Sequence, residues 1–157
     1  MGISLRLYHD KKNMKGIFFL LMALLCLLAG SSIYLLYAPS TILANLSISP
    51  SIVSNLQQKI IWLKFIFPDS DFTRYHLSDI LWYQALLFIV YYIYHIKKVF
   101  HTGLIYYFSL CLPFILEFLQ LPGIIPGTFD WLDLLCYFLL LFLNYYCYIR
   151  KNKPYEK

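Results

Sequence analysis

Glu117 stands inside an apolar run, three residues before Gln120, and Asp130 stands three residues before Asp133 at the start of the next run. Residues three apart on a helix share a face. Asp79 and Trp82 repeat the spacing at the start of an earlier run. Carboxylates gathered in a low-dielectric setting cannot all ionise cheaply. One holds its proton and becomes a general acid or base, or the group recruits a cation: a metal, a basic side chain or the amine of a lipid or substrate. Asp79 and Asp130 also have a structural use, because negative charge is favourable at a helix N-terminus. Asp133 lies a turn deeper, where capping explains it less well. Glu117 is hardest to read as scaffold. An acid within a membrane span costs roughly 2.5–3.5 kcal/mol on insertion scales, less near the interface, and usually faces a partner or a cavity.

The elements that must position these residues are read from hydropathy. Hydrophobic residues make up 61% of the 157-residue chain and charged residues 13%, about half the charged share of a soluble domain. Gly16 to Tyr37 carries no charge. At 1.5 Å per residue it is long enough to span a bilayer, and it exceeds the h-region of a signal peptide, about 7–15 residues. We therefore read it as an uncleaved first helix. Further spans are expected at about 77–96, 103–121 and 130–149, the third containing Pro113. Ser78-Asp79 is the expected N-terminal cap of the second. The Pro/Gly-rich link from Pro122 to Phe129 reads as a tight turn, which makes the last two spans antiparallel neighbours. Residues 38–76 read as one loop interrupted by Pro39 and Pro50. Within it, the apolar stretch Lys59–Phe67 is too short to span and suits a segment lying on the membrane. Asn45-Leu46-Ser47 matches the N-glycosylation pattern over three residues only. The expected fold is all-α, a single polytopic membrane domain over residues 1–157 with about four transmembrane helices.

Basic residues choose the orientation. With both ends in the cytoplasm, Arg6, Lys11, Lys12, Lys15, Lys97, Lys98, Arg150, Lys151, Lys153 and Lys157 lie inside, and Lys59, Lys64 and Arg74 outside. The positive-inside rule favours this N-in, C-in topology. It has a consequence for the acids: Asp69, Asp71, Asp79, Glu117, Asp130 and Asp133 all fall outside or near the outer ends of spans. Three helices then bring carboxylates to one membrane level. Arg74, a divalent cation or an amine headgroup are the candidate counter-charges, with Lys59 and Lys64 added if their loop folds back. His76 is the one histidine on that side, and a lone loop histidine reads as solvated. Tyr91, Tyr92 and Tyr94, with Tyr145, Tyr146 and Tyr148, read as an aromatic belt at the inner face.

The net charge of +5 flanks apolar runs and forms no basic face, which argues against a nucleic-acid partner. Cys26, Cys111, Cys136 and Cys147 fall in apolar runs without CxxC spacing, so they read as small apolar residues and not as a metal or disulfide framework.

The run Glu117-Phe-Leu-Gln120 followed by Gly127-Thr128-Phe129-Asp130-Trp-Leu-Asp133 resembles the VanZ-like membrane proteins, which tend to show Glu-x-x-Gln, a short turn and Gly-Arg-x-x-Asp-x-x-Asp. Ser78-Asp79-Ile80-Leu81-Trp82 is similar to the family's earlier Pro-Asp element. The resemblance covers roughly Leu77 to Leu143. Thr128 stands where the family often has Arg, Ser78 where it has Pro, and Tyr137 and Leu140 where Asn and Gly are common. The resemblance implies a bacterial cell-envelope protein of the plasma membrane and supplies no reaction. The candidate binding set is Asp79, Trp82, Glu117, Gln120, Thr128, Asp130 and Asp133. Two readings stand. In the first, the site binds a lipid headgroup, a cell-wall precursor or a membrane-protein partner, including a second copy of the chain. In the second, it is an enzyme acting on lipid-linked substrates, with Glu117 or Asp133 as base or metal ligand. No cofactor is expected, and a divalent cation is admissible.

Overall fold

Helix α1, Gly2–Tyr37, owes its packing to one narrow stripe. Gly16, Phe19, Ala23, Gly30 and Ile33 are buried and recur, with half-buried Cys26, three and four residues apart. That is the spacing of a helix–helix seam. The rest of α1 is equally apolar but faces outward, as Ile17, Phe18, Leu21, Leu24, Leu25 and Leu28 show. The computed structural model describes residues 2–38, 49–93, 103–125 and 127–149, and all statements concern these. Outside them lie the Asn45-Leu46-Ser47 pattern, Pro39, Tyr94, His95, His101, Pro126, and the basic residues Lys97, Lys98, Arg150, Lys151, Lys153 and Lys157. The described elements are helical, with no strand among them. The chain is therefore all-α. Met14–Tyr37 is the one described helix long and apolar enough to cross a membrane, while Leu77–Tyr91, Tyr107–Gln120 and Trp131–Cys147 are apolar but shorter.

Within the segment expected as a loop, the described residues 49–76 are largely helical. Pro50 does not interrupt it but starts helix α2, Pro50–Ile60, because a proline in the first helical turn has its φ preset and needs no N–H. A 3-10 turn, Ile61–Phe65, follows. Both are fastened to the C-terminal end of α1. The Gln57 side-chain amide donates to the Leu35 carbonyl at 2.9 Å, and the Tyr37 hydroxyl donates to the Phe67 carbonyl at 2.7 Å. Helix α3, Asp71–Tyr75, is capped by Ser70, whose hydroxyl accepts from the Thr73 N–H at 3.2 Å.

Helix α4, Leu77–Tyr91, is the centre of the bundle. It is apolar on every side, which marks a helix enclosed by others. Against α1 it closes a cluster of Phe19, Ala23, Ala85, Phe88 and Tyr91. Tyr91 is thus a core residue, its ring 4.5 Å from that of Phe19, and not part of an aromatic belt. Against helix α5, Gly103–Gln120, and helix α6, Trp131–Asn144, it closes a second cluster around Tyr83, Leu87 and Tyr137. There Tyr83, Phe114 and Tyr137 meet edge to face, with centroids 5.2–6.1 Å apart, a favourable aromatic arrangement. Two polar ties cross this apolar interior. Gln84 and Asn144 exchange amide hydrogen bonds at 3.1 and 2.9 Å. The Tyr83 hydroxyl donates to the Leu110 carbonyl at 3.0 Å, in the turn of α5 where Pro113 removes a helix N–H.

The α1–α4 seam depends on Gly30. A β-carbon there would sit 2.8 Å from the Trp82 ring and 3.1 Å from the Ser78 carbonyl. The backbone of Ser78 cannot yield, so Gly30→Ala must push the helices apart. We expect a loss of about 1–3 kcal/mol, typical of overpacking, measured as reduced resistance to unfolding in detergent micelles.

Candidate functional site

The turn between α5 and α6 is built to bring Glu117 to Asp130. Helix α5 ends with the Ile124 N–H donating to the Leu119 carbonyl at 3.1 Å and the Gly123 N–H to the Gln120 carbonyl at 2.9 Å. This paired pattern needs a left-handed residue, supplied by Gly123 at φ 72°. The chain then reverses to Asp130, the N-cap of α6, whose carboxylate accepts from the Leu132 N–H at 2.8 Å. In the usual capping box, the third helical residue reaches back to the N-cap backbone N–H. Here that residue is Asp133, and it turns inward. Glu117, from the neighbouring helix, takes over the reciprocal role: its Oε1 accepts from the Asp130 N–H at 2.6 Å. The hairpin is thus closed by a capping bond donated across two helices.

Asp133 turns inward because of His76. The imidazole Nδ1 donates to Asp133 Oδ1 at 2.8 Å, and Nε2 lies 3.9 Å from Asp130 Oδ2. His76 occupies the joint between α3 and α4: its own N–H donates to the Phe72 carbonyl, and its carbonyl accepts from the Ile80 N–H. Asp133 is 6% exposed and His76 9%. A buried carboxylate needs donors, and this histidine supplies one from 57 residues away. Two sequence expectations are corrected. His76 is not solvated but stands at the heart of the cluster. Ser78 is not the cap of α4, which begins at Leu77 with His76 in the N-cap position and no side-chain cap bond; Ser78 is buried in the first turn.

Arg74 does not join the cluster. Its guanidinium forms a two-pronged pair with Asp69 and holds that carboxyl below the usual carboxylate range. The pair is exposed, so it adds little to stability. Lys64 lies over the Tyr37 ring, 5.8 Å from its centroid. Among the described residues, neither Lys59 nor Lys64 forms an ion pair. No group of three or more His, Cys, Asp or Glu side chains among them is arranged to hold a metal ion.

The acidic residues therefore divide into two sets that meet at Glu117. Asp130, Asp133 and His76 form a closing knot. Asp79, Glu117 and Gln120 instead line a cavity of about 320 Å³ between α4, α5 and α6. Trp82, Tyr83 and Tyr137 add aromatic walls, and Leu86, Leu112, Pro113 and Leu116 extend it as an apolar trough. Glu117 is only 4% exposed. Gln120 is held in place by close contact with Gly127, where a β-carbon would lie 2.6 Å from its amide carbon. Gly127 has φ 137°, a conformation that also favours glycine. Thr128 is exposed on the turn and does not line the cavity. The chemistry of the cavity follows from its walls. Carboxylates and an amide oxygen accept hydrogen bonds from a cation, aromatic faces attract it, and the trough takes an apolar chain.

No family model, curated protein or solved structure matches the chain.

Proposed function

We propose that the protein is a four-span membrane protein with both termini in the cytoplasm, and that its cavity binds the ammonium-bearing headgroup of an outer-leaflet lipid or lipid-linked cell-wall precursor. Three observations support the membrane reading. The positive-inside count favours that orientation. Met14–Tyr37 has the length and composition of a span. Large apolar side chains are exposed along α1, α5 and α6, including Leu25, Phe118, Phe138 and Phe142, on a scale a soluble monomer rarely tolerates and lipid satisfies. The three shorter helices fit a thin or locally adapted bilayer. The motif residues from Asp79 to Asp133 support placing the chain as a divergent VanZ-like protein of the bacterial plasma membrane.

The single observation that carries the binding reading is the cavity, polar and anionic at one end and apolar at the other. Its volume suits a headgroup rather than a whole lipid. A primary ammonium has three donors, matching Asp79, Glu117 and Gln120. The alternative of a membrane enzyme draws on the His76–Asp133 pair, which has the form of a base with its orienting carboxylate. Neither side chain lines the cavity, so they read better as a structural tie, and binding is the better supported function. Binding of short-chain phosphatidylethanolamine against phosphatidylglycerol with the same chains tests the proposal; because the second is also net anionic, phosphatidylcholine, zwitterionic like the first but without N–H donors, is the third arm.

A further inference from the structure

The two external lysines run against the charge asymmetry of the chain, and their surroundings suggest a use for them. In the 3-10 turn Ile61–Phe65, side chains three apart eclipse one another, so Trp62 and Phe65 form one ridge. Phe65 is 95% exposed and Trp62 61%, with Ile61 and Ile66 also exposed beside them. Lys59 closes α2 and Lys64 lies within the turn. The Tyr37–Phe67 hydrogen bond ties the turn to the last residue of α1, the point where the one long apolar helix ends. The ridge is therefore held at the level where that helix would leave the bilayer. Exposed Trp and Phe flanked by Lys59 and Lys64, neither in an ion pair among the described residues, at that level, are the composition of an interfacial anchor.

We infer that residues 59–66 dock on the outer leaflet itself, with Trp62 and Phe65 inserted at the headgroup–acyl boundary and Lys59 and Lys64 on the phosphates of anionic phospholipid. The inference rests on the membrane topology proposed above and not on occupancy of the cavity. The occupant is a lipid surface because the patch joins an exposed apolar ridge to two lysines on the same short segment.

The test uses the full chain in nanodiscs containing lipids brominated near the headgroup, comparing tryptophan quenching of the wild type with Trp62→Phe. Trp82 and Trp131 remain in both. Shallow quenching should fall in Trp62→Phe, and should weaken in Lys59→Gln/Lys64→Gln when phosphatidylglycerol is present but not in purely zwitterionic lipid. Unchanged quenching in Trp62→Phe overturns the inference, as does cross-linking of Trp62 surfaces between two copies in place of lipid quenching. Resistance to alkaline extraction separates the two claims: a chain that stays embedded without Trp62 quenching defeats the anchor alone, and a chain that is extracted defeats both.

Discussion

His76→Leu is expected to destabilise the protein by on the order of 3 kcal/mol, the cost of stranding a buried polar partner. Asp133 would keep its buried position and lose the donor at 2.8 Å. Asp133→Leu should cost a comparable amount, because the imidazole then loses its acceptor. The double variant is the informative one. Leucines in both places remove the two polar groups together, and replacing a buried pair by packed apolar residues is often close to neutral. We therefore expect His76→Leu/Asp133→Leu to be more stable than either single variant, measured by reversible unfolding in detergent micelles. Simple addition of the two losses would show that the residues do not act as a pair.

Glu117 separates structure from binding, since its capping bond and the proposed binding of an ammonium have different chemical demands. Accepting the Asp130 N–H at 2.6 Å needs only a carbonyl-type oxygen, which Gln retains. Holding a cation needs negative charge. Glu117→Gln should thus leave stability nearly unchanged and weaken binding of an ammonium ligand roughly ten- to a hundredfold, the value of about 1.5–3 kcal/mol for a charge-assisted bond. Glu117→Leu should lose both binding and about 1–2 kcal/mol of stability, because the N-cap N–H of α6 loses its acceptor. Reading affinity and unfolding on the same three proteins distinguishes these outcomes. Equal loss of stability in Gln and Leu variants would mean that the charge itself holds the hairpin closed.

Much of this arrangement was legible before the structure. Four apolar runs marked the main helices, and the three-residue spacings placed Glu117 with Gln120 and Asp79 with Trp82 on shared faces, where the cavity uses them. Asp130 was readable as a cap because its type and position match that role. His76 was not readable. Its partner is 57 residues away, and nothing local distinguishes a histidine at a helix joint from one in a loop. Arg74 misleads for the opposite reason: a cation between the acids of the 69–79 stretch looks like a counter-charge for the cluster, yet Asp69, five residues away, captures it first. Gln84 and Asn144 did carry a signal that the sequence reading passed over. Each is a lone amide within an apolar run, and such groups need a partner on a neighbouring helix. Pro50 reads as a breaker in a polar stretch, although proline also begins helices, as it does here.

We propose that the cavity between α4, α5 and α6 selects an ammonium-bearing headgroup. Its most direct test is a titration of the purified protein with short-chain phosphatidylethanolamine and phosphatidylglycerol below their micelle concentrations, repeated with Asp79→Asn/Glu117→Gln. We expect saturable binding of the amine lipid, about tenfold or more tighter than the glycerol lipid, with the preference abolished in the double variant. Equal affinity for the two lipids, or a preference that survives loss of both carboxylates, would contradict it.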